Sequence, residues 1–68
     1  MSDYGLTKGE KAVLELLAQG MSNKEIAEEI CRTVRAVDFH MENIRKKLNA
    51  VGKNRVRVLL LAKEKGWV

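Results

Sequence analysis

The stretch TVRAVDFHMENIRKKL, residues 33–48, decides the fold that the sequence predicts. Apolar side chains recur along it at helical spacing, at Val37, Met41, Ile44 and Leu48. This spacing predicts a helix with one apolar stripe that packs against a core. The other side is charged, with Arg35, Asp38, Glu42, Arg45 and Lys46. A solvated surface helix has the same pattern, so the neighbouring segments must decide whether the charged side binds a partner.

A helix precedes this stretch at the amino-terminal end of the chain. Thr7 and Glu10 stand at the spacing of a capping box, in which each side chain bonds the backbone amide of the other residue. The predicted helix runs from there to about Gln19 with Val13, Leu14 and Leu17 on its inner face. Gly20 ends it, because glycine adopts the left-handed cap conformation without steric cost.

A second capping box, Ser22 to Glu25, begins a short helix of about residues 23–30. Cys31 and Arg32 then form a tight turn, and Thr33 is the expected N-cap of the central helix. A fourth helix is predicted at about residues 55–65. The sequence therefore predicts an all-α protein, a four-helix bundle containing a helix-turn-helix, with one domain over residues 1–68 and the helix-turn-helix unit at about 22–41.

Composition excludes several classes of protein. The 68 residues suffice for one small domain, and the single cysteine, Cys31, excludes an intramolecular disulfide. There is no signal peptide and no long apolar run, so we expect a cytoplasmic protein without a membrane partner. No acid–base pair, nucleophile arrangement, phosphate loop or metal-ligand cluster is visible, so we expect no enzyme, no metal and no cofactor. A lone thiol could sense redox state but is more often a small hydrophobe.

The positive charge is concentrated in one segment. The whole chain carries a net charge of +4, whereas residues 32–57 hold eight basic and two acidic residues, a net of +6. Such a segment is typical of a protein that binds the phosphate backbone of a nucleic acid. A protein that is merely soluble and basic would fit the charge equally well.

The residues also resemble a known family. LTKGEKAVLELLAQGMSNKEIAEEI (residues 6–30), VDFHMENIRKKL (37–48) and NRV (54–56) are similar to the LuxR-type, or GerE-type, helix-turn-helix domain. The resemblance implies a bacterial transcription regulator that binds double-stranded DNA, with its third helix in the major groove and its fourth helix often pairing subunits. It also makes RNA polymerase a candidate partner. The chain departs from the family at Ala36, where a threonine is usual, and in a longer turn before Arg55.

Base contacts are expected from the exposed amino-terminal part of the third helix. The candidates are Arg35, Asp38, Phe39 and Glu42. Arginine could bond guanine, a carboxylate could accept from a cytosine amino group, and Phe39 could touch a thymine methyl. Alternatively the acids orient neighbouring basic residues, Asp38 with Arg35 and Glu42 with Lys46.

Phosphate contacts are expected near the amino-terminal ends of the second and third helices, where free backbone amides attract anions, and from basic residues at the far end of the third helix. The candidates are Asn23, Lys24, Thr33, Arg45, Lys46, Lys47 and Arg55. Each exposed lysine could instead serve only solubility.

The fourth helix is apolar on nearly all sides. Helical spacing places Val58, Leu59 and Ala62 on one face, which we expect to close the core. Val56 and Leu60 point elsewhere and are the predicted interface of a homodimer that is weak in solution. The alternative is that Trp67 and the chain ends cover them. The only histidine, His40, has no partners for catalysis or metal binding, and the resemblance implies packing or a helix-end hydrogen bond there.

Two functions of different classes remain. The first is a sequence-specific DNA-binding domain, which the basic segment favours, and a promoter-reading module of a sigma factor is a variant of it. The second is a protein-interaction module that keeps the fold but has lost DNA readout, which Asp38 and Glu42 favour because carboxylates repel phosphate.

Overall fold

The computed structural model describes residues 5–68 and forms four α-helices, with no strand among those residues. The helices are α1 (Lys8–Ala18), α2 (Asn23–Glu29), α3 (Val34–Lys47) and α4 (Arg55–Glu64). The all-α prediction is confirmed, and each predicted helix end lies within one or two residues of the observed end. Residues 1–4, part of the predicted domain of 1–68, lie outside the described residues.

Local side-chain chemistry begins each helix. Both predicted capping boxes form, with Thr7 and Glu10 before α1 and with Ser22 and Glu25 before α2. In the first box the Glu10 amide donates to Thr7 Oγ1 and the Thr7 amide donates to Glu10 Oε1, each at 3.1 Å. The Thr33 hydroxyl oxygen accepts from the Ala36 amide at 3.1 Å, as an N-cap does. These bonds satisfy amides that would otherwise lack partners, so they fix where the helices start.

The turn between α2 and α3 contains an unexpected conformation. Cys31 has a φ of 58°, a left-handed value that glycine usually provides at this position after a helix. The Arg32 amide donates to the Ala27 carbonyl at 2.8 Å, which closes the end of α2. The Cys31 side chain is exposed, so it does not belong to the core. Cys31 therefore contributes a left-handed backbone conformation to the turn and no buried side chain.

The core lies between α3 and the other helices, and α3 packs against both α1 and α2. Every residue of the predicted apolar stripe of α3 is buried. The largest fully buried side chains are Leu14, Ile26, Met41, Ile44, Val13, Val37 and Val58. Ala50, in the turn after α3, is also buried, which the sequence pattern did not predict. Burial of this stripe determines which side of α3 faces outward.

The faces of α4 differ partly from the prediction. Val58 and Ala62 are buried in the core as expected, whereas Leu59 is only half-buried and lies outside the core cluster. Leu61 packs against the core instead, together with Trp67. Because apolar residues occur all round this helix, spacing alone could not assign Leu59 correctly.

Candidate nucleic-acid interface

The outward side of α3 carries the four residues predicted to contact bases. Arg35, Asp38, Phe39 and Glu42 are all exposed. Phe39 is 65% exposed, an unusual position for a large aromatic side chain in a small domain with few residues for its core. Val34 in the first turn is exposed as well, although the sequence analysis did not include it. Apolar and charged groups thus alternate on a surface that helix packing leaves open.

The two acidic residues of this surface have partners other than those expected. Asp38 Oδ1 accepts a hydrogen bond from Asn23 Nδ2 at 2.7 Å, across the gap between α3 and α2. Glu42 Oε1 lies 3.5 Å from Arg45 Nη1, one turn along the helix. The pairs proposed from spacing, Asp38 with Arg35 and Glu42 with Lys46, are not among the contacts of the described residues. Both acids therefore have partners within the domain, but not the basic residues that helical spacing suggested.

Arg55, the first residue of α4, reaches back to the start of α2. Its Nη1 donates to Asn23 Oδ1, and its Nη2 donates to the Met21 carbonyl at 2.6 Å. The guanidinium thereby bridges the α1–α2 turn and the first residue of α2. Helical spacing could not predict this contact, because Arg55 and Asn23 are 32 residues apart in the sequence.

Lys47 at the end of α3 is bound within the fold. Its Nζ lies 2.5 Å from Glu10 Oε1 and 2.7 Å from the Gly5 carbonyl oxygen. Glu10 is only 3% exposed. Burial alone raises the pKa of this carboxyl, but the hydrogen bond and charge of Lys47 and the Thr7 amide lower it more, and the net pKa lies below its ordinary value. Lys47 is thus a structural partner of a buried acid, a role that its sequence position did not predict.

The other predicted phosphate contacts have freer side chains. Lys24, Thr33 and Lys46 are exposed, with Lys24 on α2, Thr33 at the start of α3 and Lys46 near its end. Arg45 is half-buried, and its Nε donates to the Lys53 carbonyl at 3.0 Å. These residues place positive charge or a hydroxyl beside the outward side of α3.

His40 packs between α3 and α1. A Cβ atom built at Gly9 would lie 2.8 Å from His40 Cε1, so the ring occupies the space that the missing side chain leaves. His40 Nδ1 is buried and makes no hydrogen bond, which favours the packing role over the helix-end hydrogen bond. Among residues 5–68, no group of three His, Cys, Asp or Glu side chains could hold a metal ion.

The outer surface of α4 is apolar. Val56 is 66% exposed and Leu60 is 54% exposed. Beside them an open cavity of about 220 Å³ is lined by Leu17, Gly20, Arg55, Val56 and Leu59. Trp67 packs against the core and leaves both exposed residues uncovered. None of the helices in the described part of the chain has the length and apolarity needed to span a membrane.

The amino-acid sequence is similar to known regulatory proteins. The family model described as "Bacterial regulatory proteins, luxR family" matches residues 4–62. The transcriptional regulatory protein DesR of Bacillus subtilis is 44% identical over 62 residues, which cover 91% of this chain and 30% of DesR. The transcriptional regulatory protein LiaR of the same organism is 42% identical, over 78% of this chain and 25% of LiaR. No solved structure matches the chain significantly.

The spore germination protein GerE of Bacillus subtilis is closer to this chain in length. It is 41% identical over 56 residues, which cover 82% of this chain and 76% of GerE. The chain thus spans less than a third of DesR and LiaR but most of GerE.

Proposed function

The chain belongs to the LuxR family of bacterial regulatory proteins, and from this premise we propose that it binds duplex DNA sequence-specifically with α3 in the major groove. The observation that carries this proposal is the outward side of α3. Its inward side is buried in the core, so Arg35, Asp38, Phe39 and Glu42 are left exposed on the opposite side of the helix. A helix that presents such a surface from a helix-turn-helix fits the width of the major groove.

Each exposed side chain on α3 has chemistry that a base edge can meet. The Arg35 guanidinium donates in a fork that matches the O6 and N7 acceptors of guanine. Phe39 offers an apolar face to a thymine methyl, and contact with that methyl would remove its exposed ring from water. Asp38 and Glu42, as carboxylates, can accept from the amino group of cytosine. The surface therefore favours a DNA site that contains different bases over a run of one base.

The backbone of the DNA would be held on either side of α3. We assign phosphate contacts to Lys24, Thr33, Arg45 and Lys46, which surround the outward surface. The first turn of α3 adds free backbone amides, which favour an anion. Asn23, Lys47 and Arg55 were also predicted phosphate contacts, but the polar ends of their side chains already bond within the domain, so we leave them out of this set. Arg45 stays in the set because, among the described residues, only its Nε donates a hydrogen bond, to the Lys53 carbonyl, and its Nη1 lies 3.5 Å from Glu42.

We further propose that the domain binds as a weak homodimer through α4. Val56 and Leu60 form an apolar surface next to the cavity between α1 and α4. Burying one leucine is worth about 1.5–3 kcal/mol, so a few such residues on each subunit support only micromolar or weaker association after the entropy of association is subtracted. Two half-sites on one duplex would strengthen the dimer by holding both subunits close together.

The biological role that we propose is transcription regulation in the bacterial cytoplasm. It is supported by the family and by two relatives named as transcriptional regulatory proteins. RNA polymerase is the further partner that this role implies.

Selection of bound sequences from random duplex DNA at a stated salt concentration tests the proposal. We expect enrichment of one motif, present as two related half-sites about one helical turn apart. A matched selection with Arg35→Ala should lose preference at one base position while the rest of the motif stays. Retention of DNA without any enriched motif would contradict sequence-specific binding. Absence of retention at low salt would favour the alternative, a protein-interaction module in which Asp38 and Glu42 repel phosphate.

A further inference from the structure

Three side chains from three helices form a continuous hydrogen-bonded chain beside the outward surface of α3. Arg55 of α4 donates to Asn23 Oδ1 at the start of α2, and Asn23 Nδ2 donates to Asp38 Oδ1 on α3 at 2.7 Å. Arg55 also donates to the Met21 carbonyl at 2.6 Å. We refer to Arg55, Asn23 and Asp38 as the polar relay. It ends at a residue to which the proposed function assigns a base contact.

The relay fixes the orientation of the Asn23 amide. A guanidinium has only donors, so the group that faces Arg55 must be the amide oxygen. The amide nitrogen then points the other way, toward Asp38, which as a carboxylate has only acceptors. Rotating the amide by half a turn would place donor against donor at Arg55 and acceptor against acceptor at Asp38. Arg55 therefore turns the Asn23 amide nitrogen toward Asp38, and Asp38 likewise turns the amide oxygen toward Arg55.

The second contact of Arg55 holds the relay in place. Because Nη2 bonds the Met21 carbonyl in the α1–α2 turn, the guanidinium plane is fixed by two acceptors instead of one. Arg55 is half-buried, which further restricts its side chain. A lysine at this position would keep the charge but could not present two parallel donors to these two oxygens.

We propose that Arg55 is a positioning residue for base recognition, which acts through Asn23 to hold the Asp38 carboxylate in the orientation that accepts from a cytosine amino group. The proposal rests on the proposed function and adds to it a determinant outside the helix-turn-helix unit of 22–41. Only one oxygen of Asp38 is used by Asn23, so the other is left to accept from a base. Held by the relay, this oxygen loses less freedom on binding than that of a mobile side chain.

The alternative is that Arg55 contacts phosphate, as its basic character alone predicts. The two roles have different consequences. A phosphate contact affects all sequences alike and contributes about 0.9 to the slope of log affinity against log salt. A positioning residue changes the preference at one base pair and leaves the salt slope unchanged.

The test compares Arg55→Lys and Arg55→Gln with a matched control, Arg57→Lys, which changes an exposed arginine two residues away. Affinities are measured for the selected duplex and for duplexes changed at the base pair that Asp38→Ala identifies. We expect both Arg55 variants to lower the discrimination at that pair by about 5- to 150-fold, the range that a good side-chain contact to a base contributes. Arg57→Lys should leave it unchanged, and Arg55→Gln should leave the salt slope unchanged.

Discrimination that survives in Arg55→Lys, together with a salt slope reduced by about one in Arg55→Gln, overturns the proposal in favour of a phosphate contact. If the Arg55 variants do not fold, Asn23→Asp decides, because it keeps an acceptor for Arg55 and places a carboxylate against Asp38. Lost discrimination in that variant supports the relay, and unchanged discrimination contradicts it.

A readout without DNA separates this inference from the proposed function. In the free protein, the side-chain amide resonances of Asn23 should shift in both Arg55→Lys and Asp38→Ala but not in Arg57→Lys. Shifts in a protein whose wild type prefers no sequence would mean that the relay exists but the base-recognition role is wrong. Absence of both shifts would overturn the relay itself, whatever the DNA binding.

Discussion

Replacing Lys47 with methionine should destabilise the domain. The substitution keeps most of the side-chain volume but removes the ammonium that lies 2.5 Å from Glu10 Oε1. The Glu10 side chain is only 4% exposed, so water can replace the lost partner poorly. Glu10 would keep its hydrogen bond from the Thr7 amide, but the positive charge of Lys47 that balances its carboxylate would be lost.

The magnitude follows from the unequal burial of the pair. Removing one partner of a fully buried ion pair costs about 3–5 kcal/mol, whereas exposed pairs contribute about 1 kcal/mol or less. The Lys47 side chain is 34% exposed, so the pair lies between these limits and we expect a loss of about 1–3 kcal/mol. A domain of 68 residues has a total stability of about 3–10 kcal/mol, so this loss is large.

Urea unfolding at pH 7, followed by helical circular dichroism, measures the effect. Lys47→Met should lose more stability than Glu10→Gln, because the amide carries no buried charge and the remaining lysine can reach water. The double variant should recover part of the loss, since it leaves no unpaired charge. Lys47→Met within 0.5 kcal/mol of wild type, with a reduced salt slope of DNA binding, would refute this reasoning and restore Lys47 as a phosphate contact.

The pH dependence gives an independent check on the same pair. The folded-state pKa of Glu10 lies below its ordinary value of 4.5. The ionised carboxylate therefore contributes its full stabilisation above that ordinary value, and the contribution is lost as pH falls through the folded-state pKa. Wild type should lose stability in this acid range, and Glu10→Gln should lose less. Equal acid sensitivity of the two proteins would mean that Glu10 is not the group responsible.

Three further predictions concern the surfaces and the packing. Leu60→Glu should stay folded but lose dimerisation in sedimentation experiments; unfolding would show that Leu60 belongs to the core, and persistent dimers that the interface lies elsewhere. Arg35→Ala should weaken binding to the preferred duplex by about 1–3 kcal/mol, and an equal loss on random DNA would make Arg35 a phosphate contact. Gly9→Ala should lower the free energy of unfolding, measured by thermal unfolding, by about 1–3 kcal/mol because the added Cβ clashes with the His40 ring. The same substitution made together with His40→Ala should not show this loss, and a stabilising Gly9→Ala would contradict the clash.

Local sequence signals predicted the helices and most of the core. Thr7 and Ser22 predict the starts of two helices, because a capping box is formed by two residues only three positions apart in the sequence. Both boxes form in the structure. Val37, Met41 and Ile44 are buried because their spacing follows the helical period. The same period left the recognition candidates Arg35 and Phe39 on the exposed side.

Contacts between distant residues could not be predicted in this way. Asp38 pairs with Asn23, 15 residues away, and Lys47 pairs with Glu10, 37 residues away. Helical spacing predicts contacts only between residues three or four positions apart, so it predicted Arg35 as the partner of Asp38. The relay and the buried ion pair depend on how the helices pack, and only the three-dimensional structure shows them.

The most direct test of DNA recognition measures the affinity of wild type for its selected duplex and for a scrambled duplex of the same composition, between 50 and 200 mM salt. With six to ten phosphate contacts in the dimer, both affinities should fall by about 10³–10⁵ over this range. The selected duplex should stay at least about 10³-fold tighter at every salt concentration. Affinities that are equal for the two duplexes, or that do not change with salt, would contradict sequence-specific binding through α3.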